Sequence, residues 1–120
     1  MALRLARMSP EAASWLKTEI AYVADRNPAA ARKIVERIRQ ARRNLAEYPR
    51  IGPPGLIPGT RRVVVSPYVL TVQQNSGVVE IAAIRHARQS DAYAPQDVLN
   101  EDVADEPGDE EPTDDPFKFR

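Results

Sequence analysis

The chain has 120 residues, one histidine and no cysteine. It is therefore a single modest domain without disulfides, thiol chemistry, Cys-ligated zinc or a multi-histidine metal site. Its formal net charge of zero hides a segregation: residues 1–89 hold fifteen Lys and Arg against six acids (+9), and residues 90–120 hold two against eleven (−9). So basic a body meets something acidic, whether nucleic acid, an acidic protein surface or its own tail.

"ALRLAR" (2–7) places Leu3 and Leu5 on one face, which predicts a short half-buried strand. In "MSPEA", Ser9 suits a helix N-cap, Pro10 the first helical position and Glu11 the positive end of the helix dipole. The helix is expected to run to about Arg26, with Ala13, Leu16, Ile20 and Val23 as its apolar stripe and Trp15 at the border. "RNPAAA" repeats the start signal, with Asn27 as N-cap and Pro28 as first helical residue. The second stripe is Ile34, Ile38, Ala41, Leu45 and Tyr48, and the remaining surface carries Arg32, Lys33, Arg37, Arg39, Arg42 and Arg43. Together they predict a helical hairpin with one apolar surface to cover.

"YPRIGPPGLIPGT" (48–60) has four prolines and three glycines, so an extended loop without a regular ladder is expected. Strands follow at 61–65 and 68–74, broken at Ser66-Pro67. Asn75–Gly77 is a hairpin turn, with Gly77 able to take positive φ. The strand at 78–84 is apolar on both faces apart from Glu80, as near the middle of a sheet. The fold class is α+β, in the order β-α-α-β-β-β, with the helical hairpin packed on an antiparallel sheet.

The division expected is a domain over 1–93 and an acidic, flexible or partner-docking tail over 94–120, with one or two helical turns at 95–104. The acidic stretch is too poor in large apolar groups to form a core alone. Within it, "PFKFR" (116–120) brings two phenylalanines and two cations together, as a short docking element would.

These pieces resemble the ParE/RelE superfamily of bacterial type II toxins, over roughly residues 3–93. The likeness lies in "MSPEA", the "NPAAA" helix junction, the "YPRIG" loop, the "GTRRVVV" strand, "PYVLTVQ" and "EIAAIRHARQ". It follows the ParE branch and makes residues 1–93 a ParE/RelE-like toxin domain. The resemblance implies a cytoplasmic toxin neutralised in a hetero-oligomer by a cognate ParD-like antitoxin, with DNA gyrase as target. It implies no cofactor, metal or membrane partner. RelE-like members instead cut mRNA on the ribosome.

RNA cleavage without a metal needs a base, cations for the phosphate and an acid for the leaving oxygen. RelE-like nucleases carry cations on their middle strands, where this chain has Val63, Val64, Val65, Val69 and Val72, and neither strand contains a lysine. Binding without catalysis is therefore the leading expectation, and no catalytic residue is assigned. The partner-binding candidates are Arg61, Arg62, Tyr68, Arg85, His86, Arg88 and Tyr93. Arg85, His86, Arg88 and Tyr93 also motivate the runner-up, a ribosome-dependent mRNA endonuclease. A third reading is a non-toxic or self-inhibited interaction module, from the +9/−9 split. The blander alternatives stand beside these. His86 can fix the chain's exit from the sheet by donating a hydrogen bond to a neighbouring carbonyl, Arg85 and Arg88 can be a solvated patch, and Arg61-Arg62 can guard a sheet edge. "GPPGLIPG" lacks the GK[ST] of a phosphate loop.

Overall fold

Ser9 and Asn27 set the helical half of the molecule. The Ser9 hydroxyl accepts the Ala12 N–H at 3.0 Å and Pro10 follows at the first turn, opening α1 (Pro10–Arg26). Asn27 closes α1, its N–H donating to the Val23 carbonyl, and opens α2 (Pro28–Glu47), its side chain accepting the Ala30 N–H at 3.0 Å. One residue thus caps two helices and makes the hairpin. The computed structural model describes residues 4–75 and 77–103. No helix among them is long and apolar enough to cross a membrane.

Four strands complete the layer: β1 (Arg7–Met8), β2 (Thr60–Val65), β3 (Tyr68–Asn75) and β4 (Val78–His86), in the order β1-β4-β3-β2. The α+β order β-α-α-β-β-β is as expected from sequence, with a further helix α3 (Gln96–Val103) after it. The sheet corrects one expectation: β2, β3 and β4 are antiparallel, but β1 runs parallel to β4, pairing Arg7 with Glu80 and Met8 with Ile81. β2 runs in the same sense as β1, so two antiparallel pairings later β4 lies beside β1 in that same sense.

Of the strand expected at 2–7, residues 2–3 lie outside the described residues and residues 4–6 do not join the sheet, which at Ala6 is the work of Arg42. The Ala6 N–H donates to the Arg42 carbonyl at 2.9 Å, and the Arg42 Nε donates to the Ala6 carbonyl at 2.9 Å. Backbone groups spent on α2 are lost to the ladder, which starts only at Arg7. Ser9 then stitches α1 to β4: its N–H reaches the Ile81 carbonyl at 3.0 Å and its hydroxyl the Ala82 carbonyl at 3.0 Å.

One sheet face meets the helices. Tyr68, Leu70, Val72, Ile81 and Ile84 pack with Ala12, Leu16, Ile38 and Leu45 in the main core. Ala12, not Ala13, is the buried alanine of α1. Tyr48 is exposed, because as the C-cap of α2 it has already left the helical path. The ladder slips where Thr71 pairs with Ala83 but Val72 with Ile81, which leaves Ala82 as the extra residue of a bulge. On the far face Ala82 and Ala83 are covered by Val98 of α3, with Ile57 packed alongside.

The proline-rich loop lies along β2. The Arg62 N–H donates to the Pro53 carbonyl and the Gly55 N–H to the Thr60 carbonyl, at 2.9 and 2.8 Å. This loop shields an edge strand from strange partners. Gly52 permits the approach: at φ +92° a Cβ there would lie 2.4 Å from the Arg62 carbonyl oxygen. Gly77 has φ +80°, as its turn requires. The acidic stretch 104–120 lies outside the described residues.

Candidate functional site

A groove of about 880 Å³ opens between α1 and the C-terminal end of β4. Its helical wall is one stripe, Glu11, Ser14, Trp15, Thr18 and Tyr22 with Glu19 beside it, at the three-and-four spacing of a single helix face. Its other wall is Arg85, His86, Arg88, Gln89, Asp91 and Asp97. β1 pairs only as far as Ile81, so the groove forms where the sheet's own neighbour strand has ended.

Tyr68 lies beneath it, 3 % exposed. Its ring stands edge-on to Trp15 (centroids 6.0 Å apart) and to His86 (5.6 Å). The phenol donates to Glu19 Oε2 at 2.8 Å. Burial, then the hydrogen bond to the Glu19 carboxylate and its charge, push the Tyr68 phenol well above its ordinary value. Tyr68 is therefore a fixed donor, not a base.

His86 anchors the corner. Its N–H donates to Gln89 Oε1 at 2.8 Å, and its Nδ1 accepts the Arg88 N–H at 3.2 Å. An Nδ1 that accepts leaves the neutral ring's proton on Nε2. The expected donation from His86 to a carbonyl is replaced by the reverse, an acceptance by Nδ1 from the N–H two residues on.

Arg85 is only 8 % exposed and its guanidinium is occupied inside the protein. Nε meets Asp91 Oδ2 at 3.3 Å, Nη2 meets Asp97 Oδ2 at 3.1 Å, and Nη1 donates to the Ile84 carbonyl at 2.9 Å. Arg85 thereby ties β4 to the chain that returns through α3. Arg88, two residues away from His86, is exposed and lines the groove.

The structure divides the seven candidates among three places. Tyr68, Arg85, His86 and Arg88 gather at the groove. Arg62 lies over the Tyr93 ring at 5.6 Å. Arg61 sits at the far end of the sheet, where Nη1 donates to the Gly52 carbonyl at 2.8 Å beside a smaller cavity of about 220 Å³. Arg61 pairs with Val72, and His86 pairs with Tyr68. Four residues of β3 separate those registers, about 13 Å at a strand's rise per residue. Arg61, His86 and Tyr93 do not converge.

Sequence reasoning missed Glu11, Glu19 and Tyr22 as groove residues. Their signal was a polar-aromatic stripe beside the apolar one on α1, visible only once Trp15 is counted as its centre. Among the described residues, no group of three or more His, Asp or Glu is placed to hold a metal ion.

Comparison with known proteins agrees with this architecture. Residues 6–91 match the family described as the ParE toxin of the type II toxin-antitoxin system parDE. A Sinorhizobium fredii protein bearing the toxin name Y4kP is 41 % identical over 71 residues, covering 58 % of this chain and 73 % of that one. Toxin RelE2 of Caulobacter vibrioides is 38 % identical over 66 residues, covering 55 % and 75 %. The match spans both helices, all four strands and the His86 corner, and on it this chain belongs to the ParE toxin family of type II toxin-antitoxin systems.

Proposed function

We propose that this toxin acts in the cytoplasm by binding, with DNA gyrase as its target, and that a ParD-like antitoxin neutralises it. The resemblance to the ParE branch supplies the target, and the geometry supports the mode of action. The observation that carries the reading is the dispersal of the groups that cleavage needs. Arg61 lies at one end of the sheet and His86 at the other, Arg85 is neutralised by Asp91 and Asp97, and Tyr93 is stacked under Arg62. Val69 and Val72, on the strand where a nuclease needs cations, are 1 % and 2 % exposed.

The exposed cations of α2, Arg32, Lys33 and Arg39, offer positive charge to the acidic segment of an antitoxin. Purified toxin added to gyrase and supercoiled plasmid accumulates linear DNA if gyrase is trapped in its cleaved state. Unchanged supercoiling kinetics would overturn the target.

A second reading is ribosome-dependent mRNA cleavage. It draws on the meeting of His86 and Arg88 at one groove and on the relative named RelE2. Toeprinting on translating ribosomes separates the two, since only a nuclease leaves cuts in the A-site codon.

A further inference from the structure

The smaller cavity, of about 220 Å³, lies at the end of the sheet away from His86, and its charge is all of one sign. Arg50 and Arg61 both line it, and no lining residue is acidic. Among the described residues neither arginine is in an ion pair, whereas Arg85 is neutralised by two aspartates. Two guanidiniums at one small cavity repel each other until something negative comes between them.

The chain brings these cations together from the proline-rich loop and from β2. Arg50 stands in a turn that the Ile51 N–H closes by donating to the Tyr48 carbonyl at 3.1 Å, and Ile51 packs against the main core. Gly52 follows at φ +92°, and its carbonyl accepts Arg61 Nη1 at 2.8 Å. The loop that carries Arg50 therefore also holds Arg61, by one of the guanidinium's N–H groups, and the others remain to donate. Gln74, exposed on β3, adds a side-chain amide to the lining.

We propose that this cavity binds one phosphate-class anion, held between Arg50 and Arg61. Its size sets the ligand: at about 30 Å³ per water, 220 Å³ is the room of about seven waters. That admits a single phosphate group, but not a whole cofactor, whose pockets run to about 300–1,000 Å³. Shape sets the class. A tetrahedral anion turns oxygens toward both arginines and Gln74 at once, whereas a planar carboxylate satisfies one guanidinium fork and leaves the other. Free phosphate and a backbone phosphate of nucleic acid share this chemistry. The cavity is remote from the groove at His86, so the inference stands apart from the proposed target.

Phosphorus NMR of inorganic phosphate, titrated with the full chain at constant ionic strength, reads the site directly. Arg50→Gln and Arg61→Gln should each weaken phosphate about tenfold or more, the loss of a charge-assisted hydrogen bond. Arg50 is exposed, so its variant keeps the fold even where Arg61→Gln loosens the loop by losing Gly52. Lys17→Gln, which removes an exposed cation of α1 that does not line the cavity, should leave phosphate binding unchanged. Fluorescence anisotropy with a short DNA duplex separates the two sources. Duplex binding weakened by the same two arginine variants and competed by inorganic phosphate identifies a backbone phosphate, and duplex binding unaltered by them identifies free phosphate. The site is overturned if the wild type leaves the phosphate signal unmoved, if both arginine variants bind phosphate as the wild type does, or if Lys17→Gln weakens it equally. Acetate that displaces phosphate at equal concentration overturns the class of ligand, because the cavity then takes carboxylates.

Discussion

Arg85 on β4 and Asp97 on α3 meet at 3.1 Å, and their contact joins the toxin's sheet to the helix on its far face. The Arg85 side chain is 9 % exposed and that of Asp97 20 %, so the pair is largely desolvated. Breaking it from the acid side leaves a buried guanidinium with the Asp91 carboxylate and the Ile84 carbonyl. A fully buried pair broken this way costs about 3–5 kcal/mol. Partial exposure and the remaining Asp91 lower the expectation for Asp97→Asn to about 2 kcal/mol, several degrees of melting temperature for a domain of this size. Arg88→Ala, at an exposed side chain, should change stability by less than about 0.5 kcal/mol. Thermal denaturation of the two variants side by side checks the contrast.

Ser9 does two jobs that separate helix caps usually do not share. Its hydroxyl accepts from Ala12 in α1 and donates to the Ala82 carbonyl at the bulge of β4, and Ser9 is 7 % exposed. Ser9→Ala loses a cap, about 1 kcal/mol, and leaves the buried Ala82 carbonyl short of a donor, about 1–2 kcal/mol more. Asn27→Ala removes only an exposed cap and should cost about 1 kcal/mol. Urea titration of both should show Ser9→Ala as the larger loss, roughly by a factor of two.

Tyr68 gives the fold an alkaline limit. Its phenol is pushed above its ordinary value of 10.0 in the native state by burial and by Glu19. The unfolded chain therefore releases the proton first as pH rises. Stability from this group is complete below about pH 10 and is lost progressively above it, with a slope of up to about 1.4 kcal/mol per pH unit. Tyr68→Phe removes that slope, and below pH 10 it costs about 1–2 kcal/mol for the hydrogen bond to a carboxylate. Urea midpoints between pH 8 and 11 should fall more steeply above pH 10 in the wild type than in Tyr68→Phe.

Arg39 and Arg42 repel each other on α2. Burial, and then the charge of Arg39, hold the Arg42 guanidinium below its ordinary value. Arg42 is needed where it is, holding Ala6, but Arg39 is exposed. Arg39→Glu should leave the fold as stable as before or slightly more so. Under the proposed electrostatic capture, the same change should slow association with a ParD-like antitoxin about tenfold at low salt and less at high salt. Stopped-flow mixing at 50 and 500 mM NaCl reads both effects.

Most of the fold was legible because its signals are local. Ser9-Pro10 and Asn27-Pro28 announce both helices, and the apolar run ending at Ile84 announces a central strand, now flanked by β1 and β3. Non-local competition was not legible. Among the described residues the early strand begins only at Arg7, because Ala6 bonds to Arg42, thirty-six positions away. The burial of Ala12 in place of Ala13 depends on how α1 is stitched to Ala82. The candidate site was half visible: His86 and Arg88 stood out as charge behind a greasy strand. Arg85 looked alike in sequence, and only the return of Asp91 and Asp97 makes it internal. The helical wall around Trp15 and Glu19 required knowing which face of α1 the sheet leaves uncovered.

His86 offers the sharpest division between an anchoring residue and a catalytic one. As an anchor it contributes an acceptor at Nδ1 for the Arg88 N–H and an edge-on contact with Tyr68. His86→Ala loses both, about 2 kcal/mol together. An asparagine side-chain oxygen can replace Nδ1 as acceptor for the backbone N–H two residues on. His86→Asn should therefore recover about half of that loss, and growth arrest on induction should persist in it. A general acid or base at this position predicts something different. Both variants would lose about a hundredfold or more in activity, regardless of how well each folds. Measuring stability and growth arrest in the same two proteins distinguishes the roles, because the anchoring role makes activity follow folding, whereas catalysis separates the two.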